Sequence, residues 1–131
     1  MGARRIHSTV LAAAAGLALA VSTPATSSPN DATKAEIDHL LNYVAASSCT
    51  FVRNGNEYPA DKARDHLAGK YRWVGGRISS AEEFIRYLAT QSSMSGEPYH
   101  VKCGKTDALS GAWLTDELKR YRTAPHLQAV R

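Results

Sequence analysis

The sequence lacks the motifs of the common hydrolases and metal sites. It contains no Gly-x-Ser-x-Gly elbow, no Ser-x-x-Lys pair and no His-Glu-x-x-His helix. Cysteine is scarce, and Cys49 and Cys103 are the only two. A structural zinc site needs about four ligands, and no histidine is spaced to complete a set with these cysteines. The sequence therefore predicts no metal site, no cofactor and no enzymatic activity.

Long apolar runs are missing as well. The longest run, residues 10–21, consists almost entirely of Ala, Leu, Val and Gly and is too short to span a bilayer. Arg4 and Arg5 precede this run and small residues follow it, which is the layout of a secretory signal peptide. We therefore expect residues 1–22 to be removed on export, leaving no stable membrane span. An N-terminal membrane anchor is the alternative. The candidate cleavage positions are after Ala20, Ser22 or Ala25.

A single domain is expected in the exported chain. Residues 23–32 are rich in Ser, Thr, Pro and Asn without an apolar pattern, which predicts a disordered lead-in. Residues 33–123 are predicted to form one globular domain with a modest core, followed by a flexible tail over 124–131. No internal repeat is visible. Aromatic residues are not interleaved with Lys and Arg, which together with export argues against a nucleic-acid partner.

The two cysteines are expected to form a disulfide. A pair of cysteines in an exported chain favours a bridge over a metal site. In the chain-entropy model, a bridge between Cys49 and Cys103 adds about 4 kcal/mol to stability because the loop that it closes is long. The alternative is a pair of free, buried thiols.

Four helices follow from the spacing of apolar residues, so the fold is predicted to be mainly α (α+β). The first is predicted to begin at Thr33, which has a glutamate at capping-box spacing. The third is predicted to begin after Ser79 or Ser80, by the same signal. The second and fourth are expected over about 59–71 and 110–122, and the fourth has its cations in the last turn.

Two or three short antiparallel strands complete the predicted fold. Residues 50–53 lead into Asn54-Gly55, a strong signal for a tight turn, and residues 56–58 are the candidate returning arm. Residues 99–102 are rich in β-formers and follow a proline. We expect the segment 99–102 to pair with the segment 50–53.

The register of that pairing is predicted by the cysteines. If Phe51 lies opposite Val101, the two cysteines face each other, and Arg53 falls opposite Tyr99. This register also brings the Arg53 turn (residues 53–55) beside the serine loop (residues 92–99). The serine loop carries three serines, one flexible Gly and one stiff Pro, which is typical of a shaped loop rather than a plain connector.

Several short motifs occur in a fixed order between residues 37 and 102. They are Phe51-Val52-Arg53-Asn54-Gly55, His66-Leu67, Arg77-Ile78, Ala81-Glu82 with Phe84-Ile85, Ser92-Ser93, and Gly96 with Pro98-Tyr99. As an ordered set they resemble the YfeK-like family, which comprises small exported proteins of Gram-negative bacteria and is classed as a domain of unknown function. The resemblance implies a periplasmic envelope protein, and it supplies no activity. The fourth helix lies outside the region that resembles the family.

Candidate binding residues concentrate in the Arg53 turn and the serine loop. Arg53 presents a planar donor fork suited to a carboxylate or a polar polymer; alternatively it braces Glu57 or caps loop carbonyls. His66 on the second helix either hydrogen-bonds the loop or acts as a base for a loop serine. Ser92 and Ser93 alternatively cap the third helix. The candidates are Arg53, Asn54, His66, Ser93, Ser95 and Tyr99.

The function predicted from these residues is non-enzymatic binding in the cell envelope, with another envelope protein or a peptidoglycan fragment as the partner. One alternative is an inhibitor or immunity protein against a peptidoglycan-degrading enzyme. That alternative rests on the Ser-Gly-x-x-Tyr pattern from Ser95 to Tyr99, which is similar to a loop that some periplasmic lysozyme inhibitors insert into an enzyme cleft. A second alternative is a small hydrolase that uses a serine with His66.

Overall fold

The computed structural model describes Gly2, residues 12–22 and residues 29–124. Residues 12–22 are exposed and have no regular secondary structure. The predicted lead-in residues 23–28, the predicted tail residues 125–131 and most of the predicted signal n-region lie outside the described residues. None of the helices in the described part of the chain is long and apolar enough to cross a membrane.

Four helices and four strands make up the described fold. In chain order they are α1 (Pro29–Ala46), β1 (Thr50–Arg53), β2 (Asn56–Pro59), α2 (Ala60–Val74), α3 (Ala81–Phe84), β3 (His100–Cys103), β4 (Thr106–Leu109) and α4 (Ser110–Thr123). A 3-10 turn, Gly75–Arg77, precedes α3, and a π-helical turn, Ile85–Ala89, continues it.

The strands form one antiparallel sheet in the order β2-β1-β3-β4. The prediction of two or three strands is therefore wrong in number, because it missed β4. The predicted register is confirmed, since Phe51 lies opposite Val101. Cys49 and Cys103 are joined in a disulfide with their Cα atoms 4.7 Å apart.

The helices pack on one face of this sheet. Phe51 lies opposite both Tyr58 and Val101, so these side chains point to the same face, where Phe51 and Val101 join the core built by the helices. The other face is polar. There the side chains of Lys102 and Glu57 form an ion pair at 2.9 Å.

The helix starts follow local capping chemistry, with one difference from the prediction. At α3, the Ser80 hydroxyl accepts from the Glu83 backbone N–H at 3.1 Å, and the Glu83 carboxylate accepts from the Ser79 N–H at 2.8 Å. Helix α1 begins at Pro29 rather than at Thr33, so it extends into the segment predicted as a lead-in. Proline is well tolerated in the first turn of a helix, because its missing N–H has no intrahelical partner there.

The fold repeats one layout twice. In the first unit (residues 50–74) and the second unit (residues 100–123), a four-residue strand, a two-residue turn and a four-residue strand run directly into a helix. The two units meet through β1 and β3. The repeat is present in the structure although the sequence shows none. Residues fifty positions apart therefore occupy equivalent places, for example Ala63 and Trp113, Leu67 and Glu117, and Lys70 and Arg120.

Candidate binding site

The Arg53 turn has the backbone that its sequence predicts. Asn54 and Gly55 both have positive φ angles, 50° and 77°. A two-residue hairpin turn of this kind needs left-handed conformations at both positions, and Asn-Gly is the pair that adopts them most easily. The turn thereby points the Asn54 side chain toward the serine loop.

Asn54 fastens the turn to the serine loop. Its side-chain Nδ2 donates to the Ser92 hydroxyl at 3.3 Å, and its Oδ1 accepts from the Ser95 hydroxyl at 2.5 Å. Ser92 is buried, and its hydroxyl also accepts from the backbone N–H groups of Met94 and Ser95. The predicted proximity of turn and loop is therefore confirmed, and two of the loop hydroxyls are used to hold them together.

The serine loop is closed by its own backbone. The Ser92 N–H donates to the Glu97 carbonyl and the Gly96 N–H donates to the Ser92 carbonyl, each at 2.9 Å. Gly96 allows this closure with a φ of 75°. Residues 93–98 of the loop are exposed, and 97% of Met94 is exposed; in the described part of the chain, Ser93 makes no side-chain hydrogen bond to another candidate residue. Ser93 is thus separate from the other candidate residues.

The end of the third helix is capped by Thr90 and not by Ser92 or Ser93, the alternative that the sequence left open. The Thr90 hydroxyl donates to the Ile85 carbonyl at 2.7 Å, and the Thr90 carbonyl accepts from the Tyr99 N–H at 2.9 Å. Neither Ser92 nor Ser93 makes such a bond to α3 or its π-helical extension within residues 29–124.

Arg53 lies on the helix-facing side of β1 and reaches α2. Its Nη1 lies 3.0 Å from His66 Nδ1 and 3.1 Å from His66 Nε2, and its Nη2 donates to the Tyr58 hydroxyl at 3.2 Å. The guanidinium also stacks over the Tyr58 ring, 4.9 Å from its centroid. The brace to Glu57 that was considered from the sequence is absent, because Glu57 pairs with Lys102.

Tyr99 joins this cluster from the end of the serine loop, directly before β3. It is buried, and its hydroxyl lies 3.3 Å from both His66 Nε2 and Lys70 Nζ. Lys70 also donates to the Gln91 carbonyl at 3.3 Å. The cationic cluster, as we call Arg53, His66, Lys70 and the two tyrosines Tyr58 and Tyr99, is therefore assembled from β1, β2, α2 and the end of the serine loop.

The cluster shifts the proton affinities of its members. Burial lowers the pKa of His66, and the positive charges of Arg53 and Lys70 lower it further, so the imidazole is held neutral near pH 7. Burial and Arg53 also lower the pKa of Lys70. Burial raises the pKa of the Tyr99 phenol, although Arg53 acts in the opposite direction. Neutral His66 and Tyr99 therefore hydrogen-bond the two cations without neutralising them.

A cavity of about 440 Å³ opens beside the cationic cluster. Its walls are mainly apolar, and the polar groups are concentrated at Arg53, His66 and the two tyrosines. The lining residues are Phe51, Val52, Arg53, Tyr58, Lys62, Ala63, His66, Leu67, Tyr99 and Ser110. Small-molecule sites typically enclose about 300–1,000 Å³ with mostly apolar walls and a few polar groups, so this cavity has the size and character of such a site.

Three candidate residues lie together and three serve elsewhere. Arg53, His66 and Tyr99 form the cationic cluster, whereas Asn54 and Ser95 fasten the serine loop. Ser93 stands alone at the loop tip. The residues that the sequence did not single out are Tyr58, Lys62, Ala63, Lys70 and Ser110. Only Lys70 had a usable signal, since it lies one helical turn after His66 and therefore on the same face of α2.

The serine–histidine contact that the hydrolase alternative needs is not formed among the described residues. No serine hydroxyl hydrogen-bonds His66, whose ring nitrogens face Arg53 and Tyr99 instead. No group of three or more His, Cys, Asp or Glu side chains in these ranges has the geometry to hold a metal ion.

Comparisons with known proteins assign the family. Residues 31–122 match the model of a family of unknown function, DUF5329. The chain belongs to this family. It is also 40% identical over 84 residues to the uncharacterized protein YfeK of Salmonella typhimurium, which covers 63% of this chain and 70% of that protein. No solved structure matches the chain.

Membership of DUF5329 confirms the resemblance noted from the motifs and extends it. The matched region runs through α4, which lies beyond the motifs that carried the resemblance. All residues of the cationic cluster and of the cavity lie inside the matched region. The family carries no assigned activity, so the function has to be argued from the site.

Proposed function

We propose that this chain is an exported, non-enzymatic binding protein of the bacterial envelope. Its binding surface comprises the Arg53 turn, the serine loop and the cavity beside the cationic cluster. The partner is another envelope protein or a peptidoglycan fragment, and a polar or anionic group of that partner contacts Arg53.

One observation carries this proposal: the mainly apolar cavity is lined by Arg53, a cation that has no carboxylate partner among the described residues. Arg53 donates only to uncharged acceptors, Tyr58 and His66, within the described residues. None of the described Asp and Glu residues lines the cavity. A half-buried cation is costly unless an anion neutralises it, so this arrangement favours an external anionic group.

Export is supported by the disulfide. Bridges such as Cys49–Cys103 persist in oxidising compartments such as the periplasm and are rare in the cytosol. Such a bridge also agrees with the signal-peptide layout of residues 1–22.

The two alternative functions have less support from the geometry. For an inhibitor loop, the hydroxyls of Ser95 and Tyr99 would have to reach an enzyme cleft. The Ser95 hydroxyl is instead bonded to Asn54, and the Tyr99 hydroxyl lies within the cationic cluster. For a hydrolase, a serine would have to contact His66, and the histidine contacts Arg53 and Tyr99. Both alternatives stay testable proposals.

The test is a quantitative affinity capture with three immobilised versions of the exported chain. They are wild type, the double variant Arg53→Gln with Tyr99→Phe, and the control Lys105→Gln. Lys105 is an exposed cation in the turn of the second unit, so its loss changes the charge equally without touching the site. An envelope extract and a digest of peptidoglycan are passed over each.

We expect a partner that wild type and the control retain equally and that the double variant retains at least about tenfold less. Circular dichroism of each variant confirms that it is folded. Equal retention by all three versions would show that the surface around Arg53 is not the binding site.

A further inference from the structure

The cavity combines features that specify the chemistry of a ligand, and the following inference rests on the proposed binding function. The first feature is that Arg53, which lines the cavity, has no carboxylate partner among the described residues. Both arginines of α4 meet a carboxylate: Arg120 contacts Glu117, and Arg122 contacts Glu36 and Glu82. Among the described residues, the half-buried Arg53 hydrogen-bonds only a phenol and an imidazole. The described part of the chain therefore supplies no anionic group for its positive charge.

The second feature is that Arg53 is already oriented. Its Nη1 and Nη2 are each held by one neutral partner, and its planar face rests on the Tyr58 ring. A guanidinium has five N–H donors, so these contacts leave donors available for an incoming oxygen. Because the side chain is already fixed, little conformational entropy is lost when an anion binds.

The third feature is the apolar wall next to this donor. Phe51, Leu67 and the Cβ of Ala63 line the cavity that begins at Arg53. A small inorganic anion such as phosphate would leave these walls uncovered. A ligand that fills the site must therefore carry an apolar body attached to its anionic group.

The fourth feature is Ser110 at the start of α4. Only 2% of it is exposed, and it lines the cavity. Its backbone N–H donates to the Tyr99 carbonyl at 2.9 Å. Because Ser110 lines the cavity, its side chain offers a hydroxyl to a ligand bound there.

We propose that the cavity binds an organic monocarboxylate with an apolar body, its carboxylate on Arg53 and its body against Phe51, Leu67 and Ala63. A hydroxyl or amide on that body hydrogen-bonds Ser110. Lys62, exposed at the rim of the cavity, adds positive charge for long-range attraction. Such a ligand is either a free organic acid or the C-terminal carboxylate of a peptide with an apolar last residue.

The first test uses three probes that share a body and differ in the head group. Hexanoate, hexanol and hexylamine are titrated into the folded full chain at pH 7.5, and binding is followed by calorimetry. We expect hexanoate to bind at least about tenfold more tightly than hexanol, and hexylamine to show no binding. Arg53→Gln should reduce the affinity for hexanoate to that for hexanol, whereas Lys105→Gln should leave it unchanged.

The second test fills the cavity. Ala63→Trp places a large ring in the space while leaving every charge in position, and it should abolish binding of both hexanoate and hexanol. Ala112→Trp is the matched control, because Ala112 is an exposed residue of α4 outside this cavity. Equal loss of binding in both tryptophan variants would show that the apolar body does not occupy the cavity.

A peptide pair identifies the source of the carboxylate. Acetyl-Gly-Leu is compared as the free acid and as the C-terminal amide. Tighter binding of the peptide acid than of hexanoate identifies a peptide terminus as the source, and the reverse order identifies a free acid. Equal binding of the peptide acid and the amide, together with equal binding of hexanoate and hexanol, would overturn the carboxylate assignment.

Failure of this inference is distinguishable from failure of the proposed function. If no probe distinguishes Arg53→Gln from wild type but the affinity capture still does, the ligand class is wrong and the binding surface stands. If hexanoate binds selectively through Arg53 but no envelope partner depends on it, the cavity is a small-molecule site and the proposed partner classes are wrong.

Discussion

The first and second units share a backbone layout and differ in how their side chains use it. In the second unit, Trp113 packs against Tyr43 and Phe51, with ring centroids 4.5 Å and 5.7 Å away. In the first unit, the equivalent residue is Ala63, which ends at its Cβ and lines the open cavity. At these two equivalent positions, one large ring therefore separates a filled space from an open cavity.

The two units also differ in how their charged side chains are paired. Glu117 of the second unit is buried, and its carboxylate contacts His39 at 2.8 Å and Arg120 at 2.5 Å. At the equivalent place in the first unit stands Leu67, so no acid is available there for Arg53 or Lys70. Both arginines of α4 in the second unit pair with carboxylates, whereas Arg53 and Lys70 of the first unit have no carboxylate partner among the described residues.

This asymmetry indicates that the first unit, rather than the second, is suited to binding. Stability alone would favour a filled cavity and paired charges, and the second unit demonstrates that this backbone can provide both. The first unit keeps a cavity and a half-buried cation on the same scaffold. An open cavity and an unpaired cation both cost stability, and the second unit avoids both. Such costs are expected where a ligand binds.

The largest predicted effect comes from the disulfide that joins the two units. Cys49 lies just before β1 and Cys103 ends β3, and the bridge closes a loop with a sequence separation of 54. The double variant Cys49→Ala with Cys103→Ala should lower the free energy of unfolding by about 4 kcal/mol, because the unfolded chain regains the entropy of that loop. Urea unfolding followed by circular dichroism measures the loss.

The same unfolding experiment also tests whether the two units unfold together. Since β1 and β3 pair directly, both units should unfold in one transition with or without the bridge. Reduced wild type is the control and should match the double variant. A loss of less than about 1 kcal/mol would mean that the paired strands, rather than the bridge, hold the units together.

The second prediction compares the paired charge with the unpaired one. Glu117→Gln weakens two contacts of a buried carboxylate and should lower the free energy of unfolding by about 2 kcal/mol. Arg53→Gln removes a cation that has no carboxylate partner in the described chain, so it should change stability by at most about 0.5 kcal/mol. Both variants are measured by urea unfolding at pH 7.5. An equal loss in the two variants would assign Arg53 a bracing role instead of a binding one.

The sequence predicted the centre of this fold well because local and long-range signals agreed there. Asn54-Gly55 specifies its turn by backbone preference alone, and the need for Cys49 to meet Cys103 fixed the strand register. Strand β4 was missed because Thr106–Leu109 contains Asp and Ala, which are depleted in strands, and its place is determined by pairing with β3.

The candidate site was predicted only in part for a different reason. Arg53, His66 and Tyr99 were proposed, but the cavity depends on a small residue at Ala63 facing side chains from other elements. No local sequence pattern predicts such a cavity, because an alanine on the apolar face of a helix is usually an ordinary core residue. The sequence likewise predicted Ser110 only as a helix start, and the packing of α4 beside Tyr99 places it in the cavity lining.

The smallest predicted effect is a pH dependence of stability that arises in the first unit. The pKa of His66 is lowered in the folded chain by burial and by Arg53 and Lys70, so the unfolded chain binds the proton more readily. The resulting loss of folding stability should therefore begin as the pH falls below about 6.5, the usual pKa of histidine, and should be complete below the folded pKa of His66.

The variant His66→Gln removes this titration, so its melting temperature should fall less than that of wild type between pH 7.5 and pH 5. Hexanoate should oppose the loss in wild type, because its carboxylate favours a protonated His66. Parallel melting curves for wild type and His66→Gln over this range would show that the cationic cluster does not hold the imidazole neutral.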